Sequence, residues 1–210
     1  MAEEPPIDAV YDRIAEHFSQ TREYPWPEVT EFLADVSGEV GVDVGCGNGR
    51  HTEPLADRVD RAVGIDVSRE LLHEARERAA TREYRAEFLE ADATELPIGA
   101  DTVDVALYVA AIHHLRTREA RIRSLDELAR VLINDGRAIV SAWSTTHDKF
   151  DETVGFDTTV DWTLPDGTTI PRFYHIYDPA EFEADVRASD LVLGEAFLAS
   201  GNCYAVVHGP

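Results

Sequence analysis

The chain has 210 residues, of which 44% are hydrophobic and 9% aromatic, so it can bury one sizeable core within a single domain. Acidic residues outnumber basic ones by 41 to 19, which gives a formal net charge of −22 at pH 7. The apolar runs are far shorter than the roughly 20 residues of a membrane span, and no repeat or low-complexity segment is present. These features exclude membrane, collagen-like, coiled-coil and disordered classes.

Charge is the most unusual feature of the composition. The acidic residues are spread from Glu3 to Glu195, and Lys149 is the single lysine. In molar salt the Debye length falls to about 3 Å, which screens the self-repulsion of such a surface. The composition therefore predicts a salt-adapted protein from a halophile, and an acidic mesophilic protein is the alternative.

The first residues and the cysteines bear on the compartment. Residues 1–6 carry acid where a signal peptide carries basic and apolar residues. Cys46 and Cys203 are too few for a disulfide framework or a zinc cluster. We expect a cytoplasmic protein with no metal site of its own.

Periodicity and turn residues predict the elements in chain order. Apolar residues recur at helical spacing from Ile7 to Phe18, and Trp26-Pro27 opens a second short helix, so residues 1–37 should form an N-terminal helical cap. Strands and helices then alternate through residues 38–143, which predicts a parallel, doubly wound sheet that forms the cofactor-binding core. The predicted strands are 40–44, 62–65, 86–89, 103–108 and 137–143; helices end near 58, 80 and 132, and a turn is expected at Asn134-Asp135-Gly136.

The last third of the chain has a different pattern. Periodicity lapses over residues 144–177, where Pro165-Asp166-Gly167 predicts a hairpin or an ordered insertion on the substrate side. Residues 178–210 predict a helix at 179–188 and strands at 191–198 and 204–207, which must be antiparallel because Gly201-Asn202 joins them as a short turn. The whole chain is therefore predicted as one α/β domain. It resembles the class I methyltransferase fold, which is Rossmann-like and doubly wound, with a mostly parallel seven-stranded sheet that ends in an antiparallel hairpin.

A glycine-rich turn follows the first predicted strand. Gly45, Gly47 and Gly49 alternate with other residues, and Asp43 precedes them by two positions. The dinucleotide fingerprint spaces its third glycine differently and binds a pyrophosphate, which the carboxylate of Asp43 would repel. An amine and a sulfonium suit that carboxylate. The pattern resembles motif I of S-adenosylmethionine-dependent methyltransferases, whose glycines let the backbone approach the methionine part.

Two further acids follow the next two strands. Asp66 ends the second strand, where doubly wound folds place an acid that binds ribose hydroxyls. Asp92 matches the family's adenine-edge position, with the Ala93 amide facing the ring, and Cys46 is interpreted as a small turn residue without redox chemistry. The residues predicted to bind S-adenosyl-L-methionine are Asp43, Gly45, Cys46, Gly47, Asn48, Gly49, Asp66, Val67, Asp92, Ala93, Tyr108 and Val109.

Three segments carry a narrower resemblance. They are residues 11–33, which include Tyr11-Asp-Arg-Ile-Ala and Pro25-Trp26-Pro27; residues 109–132, which include His113-His114-Leu-Arg116; and Arg172-Phe-Tyr174-His175-Ile-Tyr. They resemble the tRNA wobble-uridine carboxymethyl methyltransferases. The resemblance implies that the chain esterifies the carboxylate of 5-carboxymethyluridine in the anticodon loop of tRNA.

The chemistry gives the polar residues of these segments a role. A carboxylate with a pKa near 4 is ionised at pH 7 and needs no general base, so positioning is the main task. An acidic protein that binds an acidic substrate must also line its pocket with bases. Arg22 and Arg172 are the candidates for the carboxylate, because a guanidinium binds it with two hydrogen bonds. The other candidates are Tyr174 and Trp26 for stacking on the base, and His113, His114 and His175.

Alternatives remain for several of these residues. Adjacent histidines at a strand end point to opposite faces, so at most one of His113 and His114 should face the substrate. Trp26 after a helix-opening position is also typical of a core anchor. The arginines at the start of the long helix are expected to form a solvated face; they are Arg116, Arg118, Arg121 and Arg123.

The resemblance also implies a partner. Enzymes of this family work with a small zinc-binding activator protein that adds a strand to the sheet edge, here near Ala86 to Leu89. Packing beneath a helix explains the apolar Phe88 and Leu89 equally well. Two other functions stay open: a small-molecule methyltransferase acting on a carboxylic acid or phenol, and a non-catalytic cofactor-binding subunit.

Overall fold

A computed structural model describes residues 5–210 of the chain. Residues 1–4 lie outside the described residues, and they carry part of the signal-peptide interpretation and the start of the predicted cap. The helices are α1 (Ile7–Thr21), α2 (Pro27–Ala34), α3 (Thr52–Ala56), α4 (Arg69–Arg82), α5 (Arg118–Val131) and α6 (Pro179–Ala188), with a 3₁₀ turn at Ile112–His114. The strands are β1 (Gly38–Val44), β2 (Val59–Asp66), β3 (Glu87–Glu90), β4 (Val103–Val109), β5 (Leu132–Trp143), β6 (Phe156–Thr163), β7 (Thr169–Ile176), β8 (Val192–Ala199) and β9 (Asn202–His208).

Seven strands form the main sheet in the order β3-β2-β1-β4-β5-β9-β8. The pairs among β1 to β5 are parallel, and β9 runs antiparallel to both β5 and β8. The order reverses between β1 and β4, which is where open α/β sheets form their ligand crevice. The predicted α/β, Rossmann-like sheet with a terminal antiparallel hairpin is confirmed.

Helices cover both faces of this sheet. The side chains of β4 alternate: Val105 and Leu107 pack with α2 and α3, while Ala106 and Tyr108 pack with α5 and α6. Central parallel strands buried on both faces are expected to be apolar throughout, as β4 is. No helix within residues 5–210 has both the length and the apolar composition that a membrane span requires.

The predicted insertion is a separate two-stranded sheet of β6 and β7. The strands are antiparallel, and Gly167, with φ of +84°, lies in the turn that joins them. Trp162 and Ile170 of this hairpin pack against α1, through Tyr11 and Ile14. The hairpin and α1 therefore meet above the carboxyl ends of the central strands.

Three local predictions were wrong. The segment Asn134–Gly136 is not a turn but lies inside β5, which starts at Leu132; the pairing with β4 shifts register there, from Val103 opposite Leu132 to Val105 opposite Arg137. The last hairpin turns at Ser200 and Gly201, whose φ angles of +52° and +74° suit a tight hairpin turn. The helix after the glycine turn ends at Ala56, two residues before the predicted end.

Candidate active site

A cavity of about 530 Å³ lies over the carboxyl ends of the central parallel strands and beneath α1 and the β6–β7 hairpin. This volume falls in the range of small-ligand sites. Ten of the twelve predicted cofactor residues line it: Gly45, Cys46, Gly47, Asn48, Asp66, Val67, Asp92, Ala93, Tyr108 and Val109. Arg22, His113, His114, Arg172 and Tyr174 of the predicted substrate set line it as well.

The glycine loop after β1 has a conformation that only glycine adopts easily. Gly45 and Gly47 have φ angles of +68° and +53°, and a Cβ on Gly45 would collide with Ala111. The amides of Gly45 and Cys46 both donate to the Ile65 carbonyl, at 2.7 and 2.9 Å. The loop is therefore tied to β2, and its backbone forms the floor of the cavity.

Asp66 joins this loop to the next strand end. Its carboxylate accepts from the amide of Gly47 at 2.8 Å and from the amide of Ser68 at 2.9 Å. Burial raises the pKa of Asp66, and these amide hydrogen bonds oppose the shift. A carboxylate has about four acceptor positions, so Asp66 can still accept from a pair of ribose hydroxyls.

Asp43 and Gly49 are the two predicted cofactor residues that do not line the cavity. Asp43 is buried beneath the loop, where its Oδ2 accepts from the Thr52 hydroxyl at 2.7 Å and its Oδ1 has no partner within residues 5–210. Burial raises the pKa of Asp43 to about 7. A half-partnered buried carboxylate favours a cation nearby, so the site fits a cofactor that carries an amine and a sulfonium.

The third acid is more exposed than the other two. Asp92 follows β3, and its Oδ1 accepts from the amide and the hydroxyl of Thr94, both at 2.7 Å. Ala93 lies beside it on the cavity wall. Tyr108 directs its hydroxyl away, to Ser124 Oγ at 3.0 Å, and burial raises its pKa. Asp92 and Ala93 therefore keep polar atoms for a ligand edge, whereas the Tyr108 hydroxyl is already used.

Two arginines meet on the opposite wall. The guanidinium carbons of Arg22, just after α1, and Arg172, on β7, lie 5.2 and 4.9 Å from the ring centre of Trp162. Arg172 is only 6% exposed, its Nε has no partner, and none of the ion pairs found within residues 5–210 includes it. A buried guanidinium without a counter-ion is costly, so this wall favours an anionic ligand.

Tyr11 and His114 hold Arg172 in place. His114 Nδ1 lies 2.8 Å from the Phe173 carbonyl, which can only accept, so Nδ1 carries the proton. Burial lowers the pKa of His114 to about 3, which leaves Nε2 bare to accept from the Tyr11 hydroxyl at 2.8 Å. The Tyr11 oxygen then accepts from Arg172 Nη1 at 3.3 Å. This chain of hydrogen bonds fixes the proton positions and the guanidinium.

Both histidines face the cavity, against the prediction that at most one would. They lie in a 3₁₀ turn after β4 and not at a strand end, so the alternation of a strand does not apply. His113 is 1% exposed, and its Nδ1 accepts from the Trp143 amide at 3.1 Å, which places the proton on Nε2. Burial lowers its pKa well below the usual value. His113 is therefore a neutral donor.

Tyr174 and Trp143 form a stacked pair on the same wall. Their ring centres are 4.9 Å apart at an interplanar angle of 26°. Trp26, predicted either to stack on the base or to anchor the core, packs against the core. It also lines the cavity, and the guanidinium carbon of Arg50 lies 5.1 Å from its ring centre. The site therefore contains aromatic surfaces on which a base could stack.

His175 does not face the cavity, which corrects its placement among the substrate residues. It points to the other side of the hairpin and contacts Asp157 and Glu181. Strand alternation explains this, because Arg172 and Tyr174 share one face of β7 and His175 lies on the other.

The predicted solvated face near the start of α5 is largely present: Arg116, Arg118 and Arg123 are exposed, and Arg121 is buried. Arg121 is 3% exposed and lies near Glu181 and Asp185, and Arg118 donates to Asp185 at 2.6 Å. Arg123 donates to the Thr94 hydroxyl at 3.1 Å, and Arg116 lies over the Phe173 ring at 4.7 Å. These side chains make contacts within the protein and do not line the cavity.

Several lining residues had no predicted role. Tyr11 lies in the first of the three segments that carry the resemblance, and its helical spacing predicted only a packing role for it. Trp143, Trp162, Arg50 and Lys149 gave no local signal, although aromatic and basic residues are few enough in this chain to be examined one by one.

Comparison with known proteins places this site in a family. A family model described as a methyltransferase domain matches residues 42–140. Among solved structures, the CcbJ methyltransferase from Streptomyces caelestis is 19% identical with a TM-score of 0.76, covering 95% of this chain and 97% of that one. A complex between the Haloferax volcanii Trm112 methyltransferase activator and a methyltransferase matches with a TM-score of 0.72 at 19% identity, covering 97% of each chain. At these identities the structures show the fold alone.

Curated relatives are closer in sequence. The Saccharomyces cerevisiae tRNA (carboxymethyluridine(34)-5-O)-methyltransferase is 35% identical over 171 residues, which cover 79% of this chain and 59% of that protein. The enzyme of the same name from Schizosaccharomyces pombe is 32% identical, covering 75% of this chain and 68% of that protein. A mouse relative of that name is 38% identical over 68% of this chain but only 20% of its own length. This chain thus spans from about a fifth to three fifths of the length of the relatives that match first.

The fold, the glycine loop and the family model together identify a methyltransferase domain over the central strands. The relatives narrow this class further. The chain belongs to the family that contains the tRNA carboxymethyluridine methyltransferases of the two yeasts.

Proposed function

We propose that this protein methylates the carboxylate of 5-carboxymethyluridine at the wobble position of tRNA. The observation that carries the proposal is the meeting of Arg22 and Arg172 on Trp162, with Arg172 Nε buried and unpartnered. A guanidinium group binds a carboxylate with two hydrogen bonds, and a carboxylate here would supply the missing counter-ion. The names of the yeast relatives support the same substrate.

The cofactor end of the cavity suits S-adenosylmethionine, which supplies an activated methyl group when bound. The glycine loop can approach the methionine part, Asp66 can accept from the ribose hydroxyls, and Asp92 with Ala93 can face the adenine edge. Basic residues lie on the facing wall. The two ends therefore differ in charge as a cationic donor and an anionic acceptor require.

The residues of the facing wall position the acceptor without taking a proton from it. The acceptor carboxylate is already ionised at neutral pH, and both His113 and His114 stay neutral because burial lowers their pKa values. Arg22 and Arg172 would hold one edge of the carboxylate and leave the other oxygen roughly 3 Å from the methyl carbon. Tyr174 lines this wall but is 3% exposed and stacked on Trp143, so its ring supports the wall and has no free face for the uracil ring.

We further propose that a small zinc-binding activator docks at the β3 edge of the sheet. β3 is an edge strand, as predicted, and Phe88 is buried under α4 while Leu89 is only partly buried. The Phe88 carbonyl accepts from Arg76 Nη2 at 2.8 Å, so an added strand has to replace or bypass that bond. The likeness to a Haloferax volcanii methyltransferase in complex with the Trm112 activator supports a partner of this kind.

The net charge of −22 supports a salt-adapted, cytoplasmic protein. Molar KCl would screen both the repulsion within the chain and the repulsion between the chain and RNA. We therefore expect folding and activity to require high salt.

The test is methyl transfer from labelled S-adenosylmethionine to tRNA that contains unesterified carboxymethyluridine, in 2 M KCl, with and without a candidate activator. Alkali-labile label in the wobble nucleoside is the expected result, because a methyl ester is hydrolysed by base. Label in RNA at another nucleoside, or only in small carboxylic acids, would contradict the proposed substrate.

Arginine variants with a matched control test the observation itself. Arg22→Ala and Arg172→Ala should lose RNA methylation, whereas Arg187→Ala should not, because Arg187 is an exposed arginine on α6 paired only with Glu183. Cofactor binding, measured by calorimetry, should be unchanged in all three. Equal activity of the three variants would show that the pair on Trp162 is not the carboxylate site.

A further inference from the structure

The β6–β7 hairpin carries much of the substrate wall. Trp162 lies on β6, Arg172 and Tyr174 lie on β7, and the Phe173 carbonyl holds His114. The placement of these groups relative to the glycine loop depends on how the hairpin is attached to the rest of the fold. Contacts that fix the outer face of the hairpin therefore affect the site.

His175 makes such contacts on the outer face of β7. Its Nδ1 lies 2.7 Å from Asp157 Oδ1 on β6, and its Nε2 lies 3.0 Å from Glu181 Oε1 in the first turn of α6. The side chain is 8% exposed. Ionised carboxylates only accept hydrogen bonds, and a neutral imidazole has a single N–H. Both bonds together therefore require the doubly protonated, positively charged ring.

The charged groups around His175 also favour a positively charged ring. Three acids, Asp157, Glu181 and Asp185, lie in one connected cluster with two arginines of α5, Arg118 and Arg121. A positive ring adds the third cation and balances the cluster.

Two neutral neighbours complete the surroundings of the ring. Tyr177 donates its hydroxyl to Asp185 at 3.2 Å, and its ring centre lies 4.6 Å from that of His175. His113 is close enough for the two imidazole charges to interact, but burial lowers its pKa and keeps it neutral. His175 is thus the histidine of this region that has two carboxylate partners.

We propose that His175 is a positioning residue whose charged ring ties β6 to α6 and so holds Arg172 and Tyr174 against the substrate. This inference rests on the proposed function. Without either bond the hairpin is held less firmly against α6. Affinity for the RNA substrate falls when His175 is replaced, while the methyl-transfer step, which uses no general base, keeps its rate.

The protonation state can be read directly. Long-range ¹H–¹⁵N NMR spectra of the imidazole nitrogens of the full chain, in 2 M KCl at pH 6.5, should show both nitrogens of His175 protonated. His175→Gln assigns the signals. Asp157→Asn keeps an oxygen acceptor but removes its charge, so it should shift the Nδ1 signal more than the Nε2 signal. A bare nitrogen, or equal shifts of the two signals, would overturn the proposal.

Kinetics provides the second measurement. His175→Gln should raise the KM for RNA about tenfold with little change in kcat, since a glutamine side chain cannot keep both charge-assisted hydrogen bonds. His73→Gln is the matched control, because His73 is an exposed histidine on α4 beside Glu77, and it should behave as the wild type.

The two proposals fail in different ways. If the wild type methylates no RNA at any pH, the proposed function fails, and the NMR spectra still decide the state of His175. If methylation occurs but His175→Gln has the KM of the wild type, the positioning role fails and the function stands. Should His175→Gln not fold, Asp157→Asn serves for both measurements, with a smaller rise in KM.

Discussion

The two ends of the cavity are built in different ways. The cofactor end uses the carboxyl ends of four successive strands, β1 to β4, and relies on backbone conformation and on acids at strand ends. The substrate end gathers side chains from α1, from the 3₁₀ turn and from the hairpin, at positions as far apart as Tyr11 and Arg172. A site made from backbone can be recognised by local spacing, whereas a site made from distant side chains depends on tertiary packing.

The ends also differ in charge. Asp66 and Asp92 line the cofactor end, and Arg22 and Arg172 line the substrate end, although the chain as a whole is strongly acidic. Each end should therefore lose its own ligand when its charge is removed and leave the other end intact.

The largest effect is expected for Arg172→Ala. Removing the buried guanidinium should lower kcat/KM for RNA by about a thousandfold, through loss of a bidentate charged contact and of the Tyr11 hydrogen bond. Affinity for the cofactor should stay within about twofold, as measured by calorimetry. Arg172→Lys, which keeps the charge but not the planar shape, should retain part of the activity. A parallel loss of cofactor affinity would break the separation of the two ends.

The converse test is Asp66→Ala. Losing the carboxylate leaves the amides of Gly47 and Ser68 without their partner and removes the ribose contact, so the Kd for the cofactor should rise about a hundredfold. RNA binding in a filter assay should not change. Asp60→Ala, an exposed acid on the same strand, is the control and should leave both affinities alone.

The third prediction concerns pH and the cofactor end alone. Because the folded-state pKa of Asp43 is raised to about 7 from 3.8, the native state holds a proton that the unfolded state releases, and stability falls as pH rises to about 7. Asp43→Asn cannot ionise at this position and so does not lose stability in this way. The free energy of unfolding of the variant minus that of the wild type should increase by about 2 kcal/mol from pH 5 to pH 8, in urea titrations at 2 M KCl without cofactor.

The control for Asp43 is an exposed acid on β2. Asp60→Asn shows how far the loss of one surface carboxylate alone changes the free energy of unfolding. A difference for Asp43→Asn that does not change with pH would mean that the buried carboxyl ionises in the fold as it does in water.

The smallest effect is expected at the contact between α1 and the start of α4, which joins the two ends of the cavity. Ser68 caps α4 by accepting from the Leu71 amide at 3.2 Å, and it donates to Asp12 of α1 at 2.6 Å. Ser68→Ala should lower stability by about 1–2 kcal/mol, seen as a lower Tm. Thr117→Ala removes a cap on α5 at 3.1 Å and should cost about 1 kcal/mol. A loss of methylation at saturating ligands would show that this joint also sets the site geometry.

The sheet and the cofactor end could be predicted because their signals are local. The alternation of strands with helices, the glycine spacing and the cap at Ser68 each depend on a few neighbouring residues, and the structure contains all of them. Arg22 and Arg172 were also found, but through resemblance and not through spacing.

The remaining features could not be predicted because they depend on contacts between distant residues. Nothing near His175 in sequence indicates Asp157 as its partner, and nothing near Tyr11 indicates Arg172. Asn134–Gly136 has the composition of a turn, yet it lies in β5 because the register shift against β4 absorbs it. Packing decided each of these cases against the local pattern.

The single lysine has a practical consequence. Lys149 lies at the edge of the cavity, with its Nζ 5.6 Å from the centre of the Trp143 ring, and its side chain is exposed. Apart from the α-amino group, it is the one aliphatic amine in the chain. An amine-reactive fluorophore would therefore attach at the mouth of the site without any engineered cysteine, and the neighbouring indole would quench it. Such a label would turn ligand entry into an optical signal.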